Sequence, residues 1–258
     1  MIYVTISLVS CNQRHDLERL LPSLAPAAIA ARAEILLVDN RSTDGTSEWM
    51  RLNYPAVNTL FNPNRAGYGE NHNLNLRRAQ GEYFVIMNAD MTVEVDVFSV
   101  LRDYMNRHSE AGMVAPKILN PDGTIQGLIK RYPTVWDLFL RRCLPRSLRS
   151  CFRQRMDHYE MRDVGYDREC DVPFLSGAFM FCRTDVLRSL GGFDPGYFLY
   201  FEDADLCRRV QRTHRTMYLP EAKVFHFWQR SAHKKLIFTW YFVRSAARYF
   251  WKWGLKLW

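Results

Sequence analysis

Features that are missing from this sequence narrow the class of protein it encodes. No apolar run reaches the roughly 18 to 20 residues that a membrane-spanning helix needs. The segment "MIYVTISLVS" has no basic leader and no small-residue cleavage pattern, so it is expected to be a strand rather than a signal peptide. The six cysteines form no C-x-x-C pair, and buried free thiols in a reducing compartment are expected. These absences predict a cytoplasmic protein.

Internal repeats and low-complexity tracts are also missing. The 258 residues are 48% hydrophobic and 14% aromatic, which is the composition of an ordered globular protein. A chain of this length can bury one large core. We therefore expect one domain, residues 1–233, followed by a separate C-terminal segment, residues 234–258.

Acidic residues are absent after Glu221, although the whole chain carries a formal net charge of +8. The basic residues beyond that point account for the entire excess. In a helix, Arg244, Arg248, Lys252 and Lys256 would form one cationic stripe, in which neighbouring like charges repel by about 0.2–0.5 kcal/mol per pair. An anionic partner would convert this repulsion into attraction.

Aromatic and aliphatic residues between these charges indicate the kind of partner. Leu236 and Ile237 precede a segment rich in tryptophan, tyrosine and phenylalanine. This mixture favours an anionic membrane surface over nucleic acid. The sequence therefore predicts peripheral association with an anionic membrane surface. The alternative is a solvated basic face that its aromatic residues pack onto the domain.

Apolar β-type runs alternate with amphipathic helical stretches from the first residues to about position 120. This alternation predicts an α/β fold with a mostly parallel sheet and helices on both faces. The Arg-rich region 128–170 is expected to form small helices or a loop over one edge, and Thr184 is expected to cap a short helix. Ligands of such sheets bind beyond the carboxyl ends of the strands. Polar residues at those ends are Asn12, Asp39, Asn40, Asn88 and Asp90.

Dinucleotide binding is a poor explanation for this sheet. The turn after the first strand reads "SCNQRHD" and has none of the glycines that let a backbone approach a pyrophosphate closely. Asp39, at the end of the second strand, therefore has another role. Since "DNRSTDGT" is rich in turn-forming residues, Asp39 could simply stabilise a turn.

Two single residues are candidate metal ligands. Asp90 ends the strand "IMNAD", and its carboxylate is a suitable hard ligand for Mg²⁺ or Mn²⁺; it could equally cap the next helix. His226 follows a β-type run in "KVFHFWQRS". A histidine flanked by aromatic residues is more often a hydrogen-bonded core residue than a ligand.

Three carboxylates, Glu202, Asp203 and Asp205, follow the aromatic stretch "YFLYF". An acid in the first turn of a helix stabilises it by about 0.3–1 kcal/mol through its interaction with the helix dipole. One or two acids would be enough for this purpose. Three acids beside an aromatic cluster also suit a pocket that partly desolvates a carboxylate and raises its pKa towards that of a general base.

In order and spacing, the motifs resemble the family-2 glycosyltransferases of the GT-A fold, in particular their bacterial rhamnosyltransferase-like branch. The resemblance runs from Ile2 to about Ser231. It rests on "VDNRSTDGT", "NRAGYGENHN", "GEYFVIMNAD", "FLSGAFMFCR", "GGFDPGYFLYFEDADLCRRV" and "VFHFWQRS".

The resemblance implies a role for each candidate residue. Asp39, with the main chain from Ser10 to Asn12, would contact the nucleotide base or ribose, and Asn64, Gly67 and Asn71 would line the same pocket. "NAD" stands where the family has D-x-D, so Asn88 replaces the first acid. Asp90 would be the main Mg²⁺ or Mn²⁺ ligand and His226 a further one. Asp203 would be the catalytic base, Glu202 would orient the acceptor or the base, and Asp205 would hold the helix or a basic neighbour.

The implied activity is inverting transfer of a sugar from a dTDP- or UDP-sugar, with dTDP-rhamnose favoured as donor. Residues 1–127 would bind the donor and residues 128–233 the acceptor, a polyprenyl-diphosphate-linked saccharide. Three alternatives stay open: a nucleotidyltransferase, which needs a Gly-rich basic loop after the first strand; hydrolysis of the sugar nucleotide; and a catalytically silent sugar- or membrane-binding module.

Overall fold

The computed structural model describes residues 1–142, 144–145, 150–228 and 236–258. Its helices are α1 (Arg14–Ala30), α2 (Thr46–Asn53), α3 (Tyr68–Arg78), α4 (Val97–Arg107), α5 (Val135–Arg142), α6 (Arg153–Tyr159), α7 (Thr184–Ser189), α8 (Glu202–Val210) and α9 (Leu236–Trp253). Its strands are β1 (Val4–Ser10), β2 (Ala33–Asp39), β3 (Asn58–Phe61), β4 (Tyr83–Asn88), β5 (Met91–Val93), β6 (Ala111–Leu119), β7 (Ile129–Lys130), β8 (Cys170–Asp171), β9 (Phe174–Leu175), β10 (Phe179–Arg183) and β11 (Arg215–His226).

The main sheet has the strand order β3-β2-β1-β4-β10-β6-β11-β5, and β8 pairs with β11. Strands β3, β2, β1 and β4 run parallel to one another, as do β6 and β11. Strand β10 is antiparallel to both of its neighbours, and β5 is antiparallel to β11. The predicted mostly parallel α/β sheet is confirmed, with an antiparallel strand inserted at its centre.

Alternation along the strands creates two hydrophobic cores, one on each face of the sheet. In β4, Tyr83, Val85 and Met87 belong to the first core, whereas Phe84 and Ile86 belong to the second. This is the two-residue period of a strand that is buried on both faces. Helices α1 and α4 cover the first core, and α3, α7, α8 and α9 cover the second.

Two expectations about helix caps are wrong. The residue after Asp90 begins strand β5, so Asp90 caps no helix. Helix α7 has Arg183 at its N-cap, because the Thr184 hydroxyl donates instead to the Gly81 carbonyl at 2.7 Å. The glycines at 191 and 192 do end this region, with φ of 72° and 73°.

The cysteines only partly match the expected buried thiols. Cys182 and Cys207 are buried, but Cys151 is exposed, and Cys11 and Cys170 are half-buried. Cys11 follows β1 in a loop and Cys151 precedes α6, and neither position is covered by another layer of structure. Cys143 lies outside the described residues.

Helix α9 packs on the second core through the ring of Tyr249, which is 1% exposed, with Phe242, Phe250 and Trp253 alongside. The predicted uniform cationic stripe is wrong. Arg248 and Lys252 both pair with Asp194, and Lys252 also pairs with Asp205. Half of the stripe therefore pairs with acids of the domain, although both side chains stay partly exposed.

The outward face of α9 is apolar instead. Leu236, Trp240, Val243 and Trp251 are 89%, 60%, 55% and 86% exposed, and their spacing places them along one side of a helix. Within the described part of the chain, no helix is both long and apolar enough to cross a membrane.

Candidate active site

The predicted site residues meet beyond the ends of β1, β2 and β4, opposite the first turn of α8. Tyr68 links them, because its hydroxyl donates to the Gly177 carbonyl at 2.7 Å and also lies 3.0 Å from Asn88 Oδ1. The Gly177 N–H donates in turn to Asp203 Oδ2 at 3.0 Å. Burial raises the pKa of Tyr68 well above its ordinary value, and the charges of Glu202, Asp203 and Asp90 add to this. Tyr68 and Gly177 thus connect Asn88, at the end of β4, with Asp203, in the first turn of α8.

The approach to the acid triplet has an unusual backbone. Tyr200 and Phe201 both lie in the left-handed region, with φ of 71° and 67°, and Phe201 is the N-cap of α8. Non-glycine residues in this region cost about 1–3 kcal/mol each and concentrate at functional sites. The strained turn directs the start of α8, and with it Glu202 and Asp203, towards Gly177.

Asp203 is the carboxyl of the pair that ionises first. Burial raises the pKa of both Glu202 and Asp203. The N–H groups of Gly177 and Ala204 donate to Asp203, and the nearby Lys130 ammonium also stabilises its charged form. The Glu202 carboxyl accepts only from its own backbone N–H among the described residues, and the charge of Asp203 raises its pKa further. Burial and the charge of Asp203 thus favour the protonated form of Glu202, whereas two N–H donors and Lys130 favour the charged form of Asp203.

Glu202 is 5% exposed, yet its Oε2 atom has no hydrogen-bond partner among the described residues. An unpaired buried polar atom costs about 1–3 kcal/mol. Such an atom is available to a hydroxyl group of a ligand.

The third acid has a structural role, as predicted. Asp205 is fully buried and accepts from Arg209 Nε at 2.7 Å and from Trp253 Nε1 at 2.9 Å. The Lys252 ammonium lies 2.7 Å from the same carboxylate. Asp205 therefore joins α8 to α9.

Asp90 and His226 are the candidate metal ligands, and the structure brings them together. Asp90 Oδ1 lies 3.1 Å from His226 Nε2, and both residues are buried. Gln126 fixes the orientation of the histidine: its Nε2 donates to the His226 and Asn120 oxygens at 2.8 Å each, so its Oε1 must accept from His226 Nδ1 at 2.8 Å.

This arrangement leaves His226 Nε2 facing a carboxylate oxygen at 3.1 Å, so a cation could bind to both atoms. An imidazole whose other nitrogen donates to a fixed acceptor is the usual state of a metal-bound histidine. Carboxylate oxygen and imidazole nitrogen are also ligands that Mn²⁺ accepts. The residues present therefore fit a divalent cation. Across the described ranges no group of three or more His, Cys, Asp or Glu side chains could hold a metal ion, so further ligands would come from substrate oxygens and water.

The residues predicted for the nucleotide pocket mainly shape its loops. Asp39 is fully buried, and its oxygens accept from the Ser42 N–H at 2.8 Å and from the Ser47 hydroxyl. Asn12 Oδ1 accepts from the Thr43 N–H at 2.7 Å. Ser10 is buried at the end of β1, and its hydroxyl has no partner among the described residues.

The second group predicted for this pocket lies at the start of α3. Asn71 is fully buried and donates to the Gly67 carbonyl at 2.8 Å, while Asn64 is exposed in the preceding loop. Gly67 is required by close packing, since a Cβ atom there would lie 2.7 Å from the Phe198 carbonyl oxygen. This contact holds α3 against the segment that leads into the acid triplet.

Sequence reasoning missed four residues of this site: Tyr68, Gln126, Lys130 and Gly177. Tyr68 and Gly177 lie inside motifs that were identified, but nothing local marked them as contacts of Asn88 and Asp203. Lys130 gave a usable signal, because in "GLIKRY" a lysine occupies an inward position of a β-type run. It is 6% exposed, and its ammonium lies over the Phe174 ring, 5.3 Å from the centroid.

Comparison with known proteins gives related enzymes. Residues 5–191 match Glycosyl transferase family 2. The chain is 30% identical over 227 residues to N-acetylglucosaminyl-diphospho-decaprenol L-rhamnosyltransferase of Mycobacterium tuberculosis, covering 81% of this chain and 71% of the relative. It is 23% identical over 195 residues to Rhamnosyltransferase WbbL of Escherichia coli K12, covering 71% of this chain and 69% of the relative.

Solved structures confirm the fold. The mannosyltransferase PcManGT from Pyrobaculum calidifontis, in complex with GDP-Man and Mn²⁺, matches with a TM-score of 0.62 at 19% identity. The match covers 88% of this chain but only 57% of that chain, so the present chain spans little more than half of that protein. Together, the family match over most of the chain and the shared GT-A fold show that this protein belongs to glycosyltransferase family 2, in its rhamnosyltransferase-like branch.

Proposed function

We propose that this glycosyltransferase moves rhamnose from dTDP-rhamnose to a hydroxyl of a polyprenyl-diphosphate-linked saccharide in the synthesis of a cell-surface polysaccharide. The observation that carries the proposal is that Tyr68 and Gly177 connect Asp203 to Asn88, two positions before Asp90, whose carboxylate faces His226. The names of the relatives from M. tuberculosis and E. coli support the sugar, and that of the M. tuberculosis relative supports the lipid diphosphate.

The chemistry needs a deprotonated acceptor hydroxyl on one side of the sugar. Asp203 carries the charge of its pair, and it takes the proton as the hydroxyl oxygen bonds to C1 of the donor sugar. The neutral Glu202 carboxyl donates a hydrogen bond to the acceptor and orients it. A single displacement of this kind breaks the bond from C1 to the diphosphate and inverts the anomeric configuration.

The other side of the reaction needs a stabilised leaving group. Asp90 and His226 would hold Mg²⁺ or Mn²⁺, which neutralises charge developing on the departing diphosphate. Because Asn88 stands where the family has the first acid of its D-x-D motif, the site carries one negative charge fewer. The polar ends of β1 and β2, around Ser10, Asn12 and Asp39, would receive the nucleoside. We assign donor binding to residues 1–127 and acceptor binding to residues 128–233.

Helix α9 would bring this site to its lipid-linked acceptor at the inner face of the membrane. Its exposed residues Leu236, Trp240, Val243 and Trp251 form an apolar stripe, and Arg244 is exposed beside it. Such a helix suits the interface of an anionic bilayer. Co-sedimentation with vesicles of anionic lipid should fall when Trp240 and Trp251 are both replaced by serine, and unchanged binding would refute this role.

The activity is tested by release of nucleoside diphosphate from a panel of dTDP- and UDP-sugars, with Mg²⁺ or Mn²⁺, with and without the lipid-linked acceptor. Release from one donor that depends on metal and acceptor supports the proposal. Release that ignores the acceptor would indicate a hydrolase. No release from any donor, with donor binding retained, would favour the catalytically silent module.

A further inference from the structure

Helix α9 contacts the strained turn that leads into the acid triplet. The Phe242 ring meets those of Tyr200 and Phe201, at 5.8 and 5.3 Å between ring centroids. Two helical turns later, the Tyr249 ring meets that of Phe201 at 5.3 Å, and both of these residues are buried. Tyr200 and Phe201 are the two residues of this turn whose φ is positive. Helix α9 therefore covers the part of the turn in which the backbone is strained.

Ser245, on the same helix, holds the peptide group that precedes Tyr200. It is 3% exposed, and its hydroxyl donates to the Leu199 carbonyl at 2.9 Å. Rotation of the peptide group between Leu199 and Tyr200 by half a turn would give Tyr200 a negative φ, which is the favoured region for a non-glycine residue. The same rotation would point the Leu199 carbonyl away from Ser245. The hydrogen bond therefore opposes the movement that would relax the turn.

Contacts of α9 continue on both sides of the turn. Before it, Tyr241 stacks on Phe198 at 4.4 Å between ring centroids. After it, the Trp253 indole N–H donates to Asp205 at 2.9 Å. Asp203 lies between these two points of attachment. Its position in the active site is therefore set by α9 from both directions along the chain.

We propose that α9 is a part of the active site, in which Phe242 and Ser245 are positioning residues for Asp203. They hold the strained turn in the form that directs the start of α8 towards Gly177. This inference rests on the proposed function, in which Asp203 takes the proton of the acceptor hydroxyl. It gives α9 a second role beside membrane binding, through the side chains that face the domain.

The test measures kcat and the donor KM with a water-soluble acceptor, N-acetylglucosamine diphosphate on a short prenyl chain, so that membrane binding plays no part. Phe242→Ala should lower kcat by about tenfold to 100-fold, because rate falls steeply when a catalytic group is displaced. Ser245→Ala removes one hydrogen bond and should lower kcat by about threefold to tenfold. The donor KM should stay within about twofold of the wild-type value, since neither change touches the donor pocket.

The pH dependence of kcat gives a readout that a loss of stability alone would not move. A displaced Asp203 loses the hydrogen bond from the Gly177 N–H, which favours its charged form. In Phe242→Ala, the fall in kcat at low pH should therefore occur at a higher pH than in the wild type.

Phe250→Ala is the matched control. Phe250 is a half-buried residue of the same helix that packs on the second core. Its ring meets that of Tyr249 at 5.5 Å and, within the described residues, no ring of the turn. Urea unfolding should show a loss of stability like that of Phe242→Ala, while kcat below the melting temperature stays at the wild-type value. If Phe242→Ala fails to fold, Ser245→Ala still tests the inference, because it removes a single oxygen atom.

Four results would overturn the inference. Wild-type kcat in both Phe242→Ala and Ser245→Ala would show that the turn keeps its form without these contacts. An equal loss of kcat in Phe250→Ala would show that α9 contributes stability only. A raised donor KM at unchanged kcat would assign the turn to donor binding. If the wild type released no nucleoside diphosphate with this acceptor or with a long-chain acceptor in vesicles, the proposed function would fail, and the inference with it.

Discussion

Replacing Asp203 by asparagine and Glu202 by glutamine should have very different effects, although the two carboxyls are adjacent. Two N–H donors and Lys130 favour the charged form of Asp203, so Asp203→Asn removes the proposed base, and general-base catalysis contributes about 10²–10⁴-fold to rate. Burial and the charge of Asp203 favour the protonated form of Glu202, so Glu202→Gln replaces a neutral donor by another of the same shape. The change should cost about tenfold at most, the value of one neutral hydrogen bond.

The assay is kcat for acceptor-dependent release of nucleoside diphosphate, measured from pH 4 to 9 (roughly the range between carboxyl and thiol titration). In the wild type, kcat should fall as the pH drops through the pKa of Asp203, which burial raises above 3.8. In Glu202→Gln, the fall in kcat at low pH should occur at a similar pH, because a neutral residue replaces a neutral residue. If Glu202→Gln is the inactive variant and Asp203→Asn is active, the assignment of the charge is wrong.

Loss of fold cannot explain the expected inactivity of Asp203→Asn. A carboxyl whose folded-state pKa is raised destabilises the fold as the pH rises above its unfolded value of 3.8. Removing that carboxyl should therefore leave the free energy of unfolding at pH 7 equal or higher. Urea unfolding followed by circular dichroism measures this, and a marked decrease would show that the carboxylate is needed for structure.

Further predictions concern stability and the cation site. Lys130→Met should raise the free energy of unfolding at pH 7 by about 1–4 kcal/mol. This gain should shrink as the pH rises from about 7 towards 10.5, because over that range the lysine is charged only in the unfolded state. Urea unfolding measures the effect, and a destabilised variant would refute the prediction. Removal of divalent cations by a chelator should abolish activity, and added Mn²⁺ should restore it. Activity that survives chelation would exclude the cation from the reaction. Asp90→Asn should raise the Mn²⁺ concentration needed for half-maximal activity by at least about tenfold. Asp194→Ala should lower the free energy of unfolding by about 1–3 kcal/mol at pH 7, because two cations of α9 lose their partner. Burial raises the pKa of Asp194, but Lys252, the Gly196 N–H and Arg248 outweigh this effect and hold the pKa at about 2. The wild type should therefore lose the stability that these ion pairs supply as the pH falls from 3.8 to 2. Thermal melts that show no such loss would contradict the pairing.

The strands and helices of the first 120 residues were predictable because the spacing of apolar residues in each one is typical of a strand or of a helix. Each motif is also confined to a short stretch of consecutive residues. Asp90 and Asp203 were singled out for the same reason. The antiparallel insertion of β10 between β4 and β6 was not predictable. That pairing joins segments far apart in sequence, and the alternation of side chains is the same for either strand direction.

Residues whose role depends on a distant partner escaped prediction. Gln126 matters because it orients His226, a hundred positions away. Arg248 and Lys252 were assigned to a membrane-facing stripe because Asp194 could not be placed opposite them from the sequence. Spacing within a helix gives the face on which a charge lies, but the neighbour of that face is set by tertiary packing.

The most direct test of the central claim is to incubate the purified wild-type protein with dTDP-rhamnose, Mn²⁺ and prenyl-diphosphate-linked N-acetylglucosamine and to identify the lipid product by mass spectrometry and NMR. The account predicts an acceptor that is heavier by one rhamnose, whose anomeric configuration is inverted relative to the donor. Unchanged acceptor with free rhamnose, or a product of retained configuration, would contradict it.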